Sequence, residues 1–483
     1  MRLFAALVLL LASVTTSEAA PNIVVIMTDD QEDTGSMAYM PKLHALLAEQ
    51  GVTFTNSFVN LPLCAPSRAS FLTGLSAHNT GIKANNPADG GGWEAFKDKE
   101  ANALPVWLDR AGYKTALLGK YVNRYGQQSN FGALLAWAGN LVNVELKGAT
   151  IGNPRDWVPP GWNLWYAFTE WRARYFDYAV NENGTILHFG HRPDDYSTDV
   201  LKERATRFVA DQASKPDPFF MLIATKAVHA QGSRATPAPR DAPDFEEVKL
   251  PTGPSFNRND ASHKAPKTRF VQGVSKAKLA KAYRAELQSL QSVDDLVEAV
   301  VEALKKAGKL DDTLIVYTSD NGFLYGQHRL IGKSAPYEES IKVPLVIRGP
   351  GIPKDETRAA LVNNLDVVAT IAELAGVSPD YALDGRSLAP LFADANAPWR
   401  SALLIESPVS RFQRSDSRFT GVRTATLKYV RYDSGFEQLF DLRTDPYELR
   451  NEAGKASCAR NLASLRSLNE ALKSCTGASC FVP

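Results

Sequence analysis

Pro21-Asn22-Ile23-Val24-Val25-Ile26-Met27-Thr28-Asp29-Asp30 runs from an apolar stretch into two adjacent acids. A strand covered on both faces reads as a near-continuous apolar run, whereas a half-exposed strand alternates. Residues 22–27 therefore predict a buried parallel strand. Open α/β sheets receive their ligands just beyond the carboxyl ends of such strands, where Asp29 and Asp30 fall. Neighbouring carboxylates repel unless a cation or hydrogen-bond donors neutralise them. The pair reads as a hard-metal site, against the plainer alternative of a helix cap beside a solvated acid.

Further apolar runs end in the same way. Residues 114–118 lead to Gly119-Lys120, residues 219–224 to Thr225-Lys226-Ala227-Val228-His229, and residues 313–319 to Asp320-Asn321-Gly322. Helical patterns lie at 41–49, 104–111, 199–212 and 364–374. Residues 276–307 carry Leu279, Tyr283, Leu287, Leu290, Val293, Val297, Val300 and Leu304 at the spacing of a long amphipathic helix. Residues 52–58 and 343–347 read as additional strands. The alternation predicts an α/β fold, a large mixed and mostly parallel sheet sandwiched by helices. Past a loop-like stretch at 386–400, strand candidates at 402–406, 428–432 and 439–441 and a last helix predict a smaller antiparallel-sheet-plus-helix subdomain.

The second landmark is Leu63-Cys64-Ala65-Pro66-Ser67-Arg68. Pro66 suits the first turn of a helix, where its missing N–H is not needed. Cys64 then falls just before a helix N-terminus, where unpaired N–H groups and the dipole favour negative charge. Arg68, in the first turn, can point back to the same place. With the strands parallel, Asp29, Asp30, Cys64, Lys120, Lys226, His229, Asp320 and Asn321 converge on one sheet edge. Carboxylates and an amide oxygen are hard ligands, suited to Ca²⁺ or Mg²⁺ and not to a soft metal. Arg68, Lys120, Lys226, Lys333 and His229 surround that position, an arrangement suited to a tetrahedral oxyanion ester.

The rest of the chain sets limits. Its 483 residues can bury one large core or two unequal ones. A net charge of +1 gives no bulk attraction to nucleic acid or an acidic membrane. Arg2, the apolar residues 3–14 and Ser17-Glu18-Ala19 read as a secretory signal over residues 1–20, too short to span a bilayer comfortably. The protein is thus expected to be exported, periplasmic or secreted (lysosomal in a eukaryote), with no nucleic-acid or membrane partner. One disulfide is expected among Cys458, Cys475 and Cys480, with the pairing open. Isolated Cys64 is left for chemistry or for the core. The aromatics Trp157, Trp162, Trp165, Tyr166, Trp171, Tyr175, Phe176 and Tyr178 read as a loop that packs the core or a lid, in preference to touching substrate. His188 and His191 read as surface loop residues, and residues 231–275 as a long loop over the sheet.

Taken together, these segments resemble the sulfatase family of the alkaline-phosphatase superfamily across nearly the whole chain after the signal. The resemblance implies that Cys64, in C-x-P-x-R, is converted to formylglycine by a dedicated maturation enzyme, and that its hydrated aldehyde is the nucleophile. It implies calcium, ahead of magnesium, bound by Asp29, Asp30, Asp320, Asn321 and modified Cys64. Arg68, Lys120, His229 and Lys333 would surround the sulfate, with Lys226 and His328 as secondary members. It also implies a catalytic domain over 21–390 and a C-terminal α+β subdomain over 391–483. One position departs: many sulfatases carry a histidine where this chain has Val122, which makes His328 the candidate for expelling sulfate. Gly119-Lys120-Tyr121-Val122-Asn123, Val158-Pro159-Pro160-Gly161-Trp162 and Pro254-Ser255-Phe256-Asn257 are similar to the N-acetylglucosamine-6-sulfatase branch. The expected substrate is a sulfated carbohydrate such as N-acetylglucosamine-6-sulfate. The competing expectations are an aryl sulfate, a phosphodiester or phosphonate monoester hydrolysed on the same scaffold, and a sulfated glycan bound without cleavage.

Overall fold

The computed structural model describes residues 20–33, 35–126, 155–169, 174–258, 275–410 and 418–483. Residues 1–19, most of the expected signal segment, and Trp171 lie outside these. The main sheet contains β1 (Asn22–Asp29), β2 (Val52–Phe54), β3 (Lys114–Gly119), β4 (Leu164–Phe168), β5 (Tyr178–Glu182), β6 (Thr185–Phe189), β7 (Phe219–Val228), β8 (Thr313–Ser319), β9 (Leu345–Arg348) and β10 (Glu356–Arg358). Their spatial order is β10-β2-β9-β8-β1-β7-β3-β4-β5-β6. The inner strands β8, β1, β7, β3 and β4 all run parallel, so their carboxyl ends share one edge. Outside them the pairing becomes mixed.

Helices α1 (Cys64–Thr73), α2 (Leu104–Arg110), α3 (Ser197–Gln212), α4 (Lys276–Lys306) and α5 (Asn364–Leu374) cover both faces. The strand period of two divides β1 between two cores. Ile23, Val25 and Met27 pack with α1, α2 and α5, whereas Val24 and Ile26 pack with α3 and α4. Residues Ile23 to Ile26 have no exposed surface; each such side chain contributes about 1.5–3 kcal/mol of hydrophobic burial. The full apolar stripe expected of residues 276–307 is buried along α4.

Some segments differ from their sequence reading. The run 52–58 is two strands: β2 joins the main sheet, while Ser57–Phe58 pairs with Val362–Asn363. The aromatic stretch is not one loop. Leu164–Phe168 is strand β4, with Trp165 and Tyr166 in the cores and Trp162 stacked on Phe220. His188 lies in β6 and not in a loop, while exposed His191 pairs with Asp177. Strand β7 extends to Val228, so Lys226 lies inside it.

In the C-terminal subdomain, β11 (Ala402–Glu406), β12 (Phe419–Thr424), β13 (Leu427–Tyr432) and β14 (Glu437–Asp441) form an antiparallel sheet against α6 (Ala459–Leu472). Strand β12 escapes the sequence pattern because Gly421, crossing close to the Tyr429 carbonyl, and Arg423 interrupt its apolar residues. The disulfide joins Cys475 to Cys480 and leaves Cys458 outside it. Glu338 ties the two parts together. Arg423 and Lys428 of the small sheet each approach its carboxylate at 3.1 Å, and Lys428 also pairs with Glu448.

Helix α5 holds α1 in place: the Asn364 amide donates to the Ser67 carbonyl at 3.3 Å. At the start of α5, the buried Asp366 carboxylate accepts the Asn363 and Arg386 N–H groups at 2.8 Å each and pairs with buried Arg400. Removing one member of a buried pair leaves the other charge uncompensated, which costs about 3–5 kcal/mol. Asp366→Ala should therefore lower the denaturant midpoint by a stability loss of that order, with an unchanged slope.

Candidate active site

The shared carboxyl edge of the parallel strands gathers the acids. β1 ends at Asp29, and Asp30 turns off it with a φ of 72°, a left-handed conformation that non-glycine residues seldom adopt. The turn is held from β8: the Asp30 N–H donates to Asp320 Oδ1 at 3.2 Å and the Gln31 N–H to Ser319 Oγ at 3.0 Å. Gly119 ends β3 with a φ of 105°, and a Cβ there would lie 2.1 Å from the Ala224 carbonyl. Only glycine allows β3 to run this close to β7 and then deliver Lys120 to the edge.

Cys64 is the first residue of α1, one step further into the helix than its sequence reading, and is fully buried. Its Sγ lies 2.8 Å from Lys333 Nζ and 3.6 Å from Asp29 Oδ1. The backbone of the first turn offers an anion little. The Ala65 N–H goes to Asn85 Oδ1 at 2.8 Å, Pro66 has none, and the Ser67 N–H closes onto the Leu63 carbonyl at 3.0 Å. Positive charge at the site therefore comes from side chains. Asn85 was invisible to the sequence reading, because nothing in residues 84–86 marks a helix cap for a segment 20 residues earlier.

The cations are interleaved with the acids. Lys120 Nζ lies 2.5 Å from Asp29 Oδ2 and 3.9 Å from Asp320 Oδ2. Arg68 Nε donates to Asp320 Oδ2 at 2.8 Å, and its Nη1 to the Lys120 carbonyl at 2.9 Å. Lys333 pairs with Asp30. Burial drives all three acids toward the neutral form. At Asp29 this is outweighed by Lys120, Arg68 and Lys333, which hold it well below the usual carboxylate range. At Asp30 it is outweighed by Lys333, which holds the carboxyl below its usual range. At Asp320 burial and the Asp29 charge prevail, and its carboxyl is raised. Burial pushes the Cys64 thiol up to about 11, so it is no ready thiolate nucleophile.

His229 is partly exposed, with Nε2 3.7 Å from Asp30 Oδ2. Its Nδ1–H donates to the Ala230 carbonyl at 2.8 Å, because a carbonyl can only accept. Desolvation pushes its pKa down to about 4, so the neutral ring presents a bare Nε2 to the site. Tyr175, read only as an aromatic in a loop, anchors this residue by donating to the His229 carbonyl at 3.0 Å. Burial pushes Lys226 down to about 8, against the pull of Asp29. His328 is not brought into this group. It lies buried in a separate cluster with Glu339 and Glu448, its ring stacked 3.7 Å from that of Tyr337.

The residues fit a hard cation. Ligating atoms of Asp29, Asp30, Cys64 and His229 all lie within 4.8 Å of one another. Asn321 donates through Nδ2 to Asp30 Oδ1 at 2.7 Å, while its buried Oδ1 accepts no hydrogen bond. An unshared amide oxygen beside clustered carboxylates is the donor chemistry that calcium takes.

An acid cluster, a buried residue 64 and convergent cations at the carboxyl edge of a parallel sheet suit the hydrolysis of oxyanion esters. The chain belongs to the sulfatase family, whose model matches residues 21–377, and is a sulfuric ester hydrolase. The C-terminal model of N-sulphoglucosamine sulphohydrolase matches residues 326–474. N-acetylglucosamine-6-sulfatase of Homo sapiens is 35% identical, covering 96% of this chain and 86% of that protein. Arylsulfatase of Volvox carteri is 30% identical over 100% of this chain and 79% of its own length. A solved enzyme in complex with its substrate D-glucosamine-2-N,6-O-disulfate is 25% identical, with a TM-score of 0.75 over 93% of this chain and 97% of that one. The fold is also that of the phosphonate monoester hydrolase from Silicibacter pomeroyi, at a TM-score of 0.70 and 21% identity over 94% of this chain and 96% of that one.

Arg68 and Asp320 are almost entirely buried. Arg68→Leu should cost about 3–5 kcal/mol by removing the nearest cation from the buried Asp320 charge, and Arg68→Leu with Asp320→Leu should recover most of that loss. Equilibrium denaturation of the single and double variants reads both.

Proposed function

We propose that this sulfatase removes sulfate from a sulfated carbohydrate of the N-acetylglucosamine-6-sulfate type. It uses formylglycine made from Cys64 and a calcium ion held by Asp29, Asp30, Asp320, Asn321 and residue 64. The observation that carries the mechanism is the position of Cys64 Sγ, between Asp29 of the acid cluster and the Lys333 ammonium. That sulfur stands in for the oxygens of a hydrated aldehyde. The sugar reading rests on the relatives, on the D-glucosamine-2-N,6-O-disulfate complex, and on an exported destination for the chain. Among the described residues no helix is long and apolar enough to cross a membrane.

Calcium, when bound, supplies polarisation of the ester and a lowered hydroxyl pKa, and formylglycine supplies the nucleophilic hydroxyl. The chain's own groups do the rest. Lys120, Lys333 and Arg68 fix the sulfate oxygens and balance charge from largely buried positions, where such contacts count for more than in water. His229 is neutral before substrate arrives. An anion beside its ring favours the charged form, and the proton it then carries at Nε2 passes to the leaving alcohol while Ala230 holds the ring in orientation. Lys226, lowered to about 8, can exchange a proton near neutral pH. His328 takes no part, since it lies with Glu339 and Tyr337. Full burial of Cys64 also means that the maturation enzyme meets this segment before the chain closes around it.

Two measurements test this reading. The first follows sulfate release from N-acetylglucosamine-6-sulfate beside an aryl sulfate and a phosphonate monoester, with mass spectrometry of the residue-64 peptide. The expected outcome is preference for the sugar, an aldehyde at position 64, and loss of turnover by about 10³-fold or more in Cys64→Ala. Preference for the aryl or phosphonate ester would reject the substrate assignment, and an intact thiol in active protein would reject the nucleophile. The second is calcium titration followed by thermal unfolding. Saturating calcium at about 100 times its Kd should add about 2.7 kcal/mol of stability. The increment should be absent in Asn321→Leu.

A further inference from the structure

Past the end of α1 the chain makes a single helical turn, Ala77–Thr80, which meets two pieces of the C-terminal subdomain. One is the end of β11 at Glu406. The other is the tail beyond α6, which Cys475 and Cys480 close into a small ring. Asn60 holds the turn to β11: its Oδ1 accepts the Ala77 N–H at 2.8 Å, and its Nδ2 donates to the Leu404 carbonyl at 3.3 Å. Asp384 holds the turn to the ring. Its carboxylate accepts the Ser76 and Gly477 N–H groups at 2.7 Å each, while its own N–H donates to the Gly74 carbonyl at 3.0 Å. The Asn79 amide donates to Asp384 Oδ2 at 2.8 Å and to the Cys475 carbonyl at 2.9 Å.

His78 is joined to both pieces at once. Its Nδ1 lies 3.0 Å from Glu406 Oε2 and its Nε2 lies 2.8 Å from the Cys475 carbonyl. A carbonyl only accepts, so Nε2 carries a hydrogen. Nδ1 carries one as well, because Glu406 is ionised: Lys83 pairs with its other oxygen at 2.9 Å, and the backbone N–H of His78 also donates to Oε2, at 3.2 Å. Only the imidazolium serves both contacts, since a neutral ring has a single N–H. Among the described residues, the charged groups around the ring are Glu406, Lys83 behind it, and Asp384. Burial pulls the His78 pKa down, but the Glu406 carboxylate and the Cys475 carbonyl outweigh it and raise the ring above its usual value. Burial likewise pushes Glu406 up, and His78 and Lys83 outweigh it and hold that carboxyl below its usual range.

We propose that His78 is an acid-dependent latch, which fastens the Cys475–Cys480 ring and the end of β11 to the turn that follows α1. In acid the ring is charged and both bonds are made. When the proton leaves, one bond is lost, either to the Cys475 carbonyl or to Glu406, and Glu406 keeps Lys83 as its remaining cation. A histidine whose folded pKa is raised adds stability that is complete below its ordinary value of about 6.5 and is lost as the pH rises through the folded value. The tail is therefore docked most firmly in acid and loosens toward alkaline pH. The latch is independent of the substrate reading, and none of its members belongs to the group around Cys64.

The test is amide hydrogen exchange of the full chain from about pH 5 to 8, corrected for the intrinsic chemical rate at each pH. The reporters are the Gly477 N–H, held by Asp384, and the Ser401 N–H, which donates to the Val482 carbonyl at 2.8 Å. In the wild type their opening constant should be lowest in acid. It should then rise by at most about tenfold per pH unit above about 6.5 and level off once His78 is neutral. In His78→Gln, whose amide donates without titrating, opening should be greater in acid and flat over the same range. Glu406→Gln keeps the histidine but removes its anion, so the rise should move to lower pH. Ring NMR of the wild type, with the His78 signal assigned by its absence from His78→Gln, should show both nitrogens protonated at about pH 6. A neutral His78 at that pH would overturn the latch. So would a wild-type pH profile that is flat, or one that both variants reproduce. Should His78→Gln fail to fold, the shift in Glu406→Gln decides, and an unmoved rise there overturns the latch.

Discussion

Asp29, Asp30 and Asp320 are buried side by side, and the surrounding structure is organised around the cost of keeping them there. Like charges in a dry cluster either shed their charge or acquire close partners. Arg68, Lys120 and Lys333 are those partners, each within hydrogen-bonding reach of a different acid or pair of acids. Apart from the neighbours Asp29 and Asp30, each of these groups comes from a separate stretch of chain. Their meeting depends on the parallel register of β8, β1, β7 and β3, which brings the ends of distant segments to a common edge. The cores on both faces of β1 fix that register, because a slip of one residue would exchange its two apolar sets.

The same balance explains why the site can hold an anion without help from the helix backbone. With the Ala65 and Ser67 N–H groups already used, attraction for a sulfate is left to the ammonium groups of Lys120 and Lys333 and to one guanidinium. Such groups can face an acid at one moment and a substrate oxygen at another, which backbone N–H groups cannot do.

Most of this was legible in the sequence. Residues 22–30 announced a buried parallel strand ending in the paired acids of the cluster, and the repeated placement of Lys120, His229 and Asp320 after apolar runs pointed to the same edge. What could not be read depended on distance in three dimensions. His328 follows the short strand at Leu324–Tyr325, close in sequence to Lys333, yet its left-handed backbone and its stacking on Tyr337 turn it elsewhere. The aromatic stretch was misread because Pro159-Pro160-Gly161 outweighed the apolar run Leu164–Phe168 that follows. Val52 to Phe58 gave no local sign that the chain leaves the main sheet after Phe54. Asn85 and Tyr175 support the site through single hydrogen bonds, for which one sequence carries no pattern.

The bond between Glu338 and the small C-terminal sheet bears on how such a protein can be rebuilt. The loop that carries Lys333 runs into a short helix, Glu338–Ile341, and is gripped at Glu338 by Arg423 and Lys428. The small sheet is thus a fixture that sets the height of an ammonium group over residue 64. Grafting the large domain onto another scaffold, or trimming its tail to shorten a gene, would free that loop and blunt the site while leaving every strand of the main sheet intact.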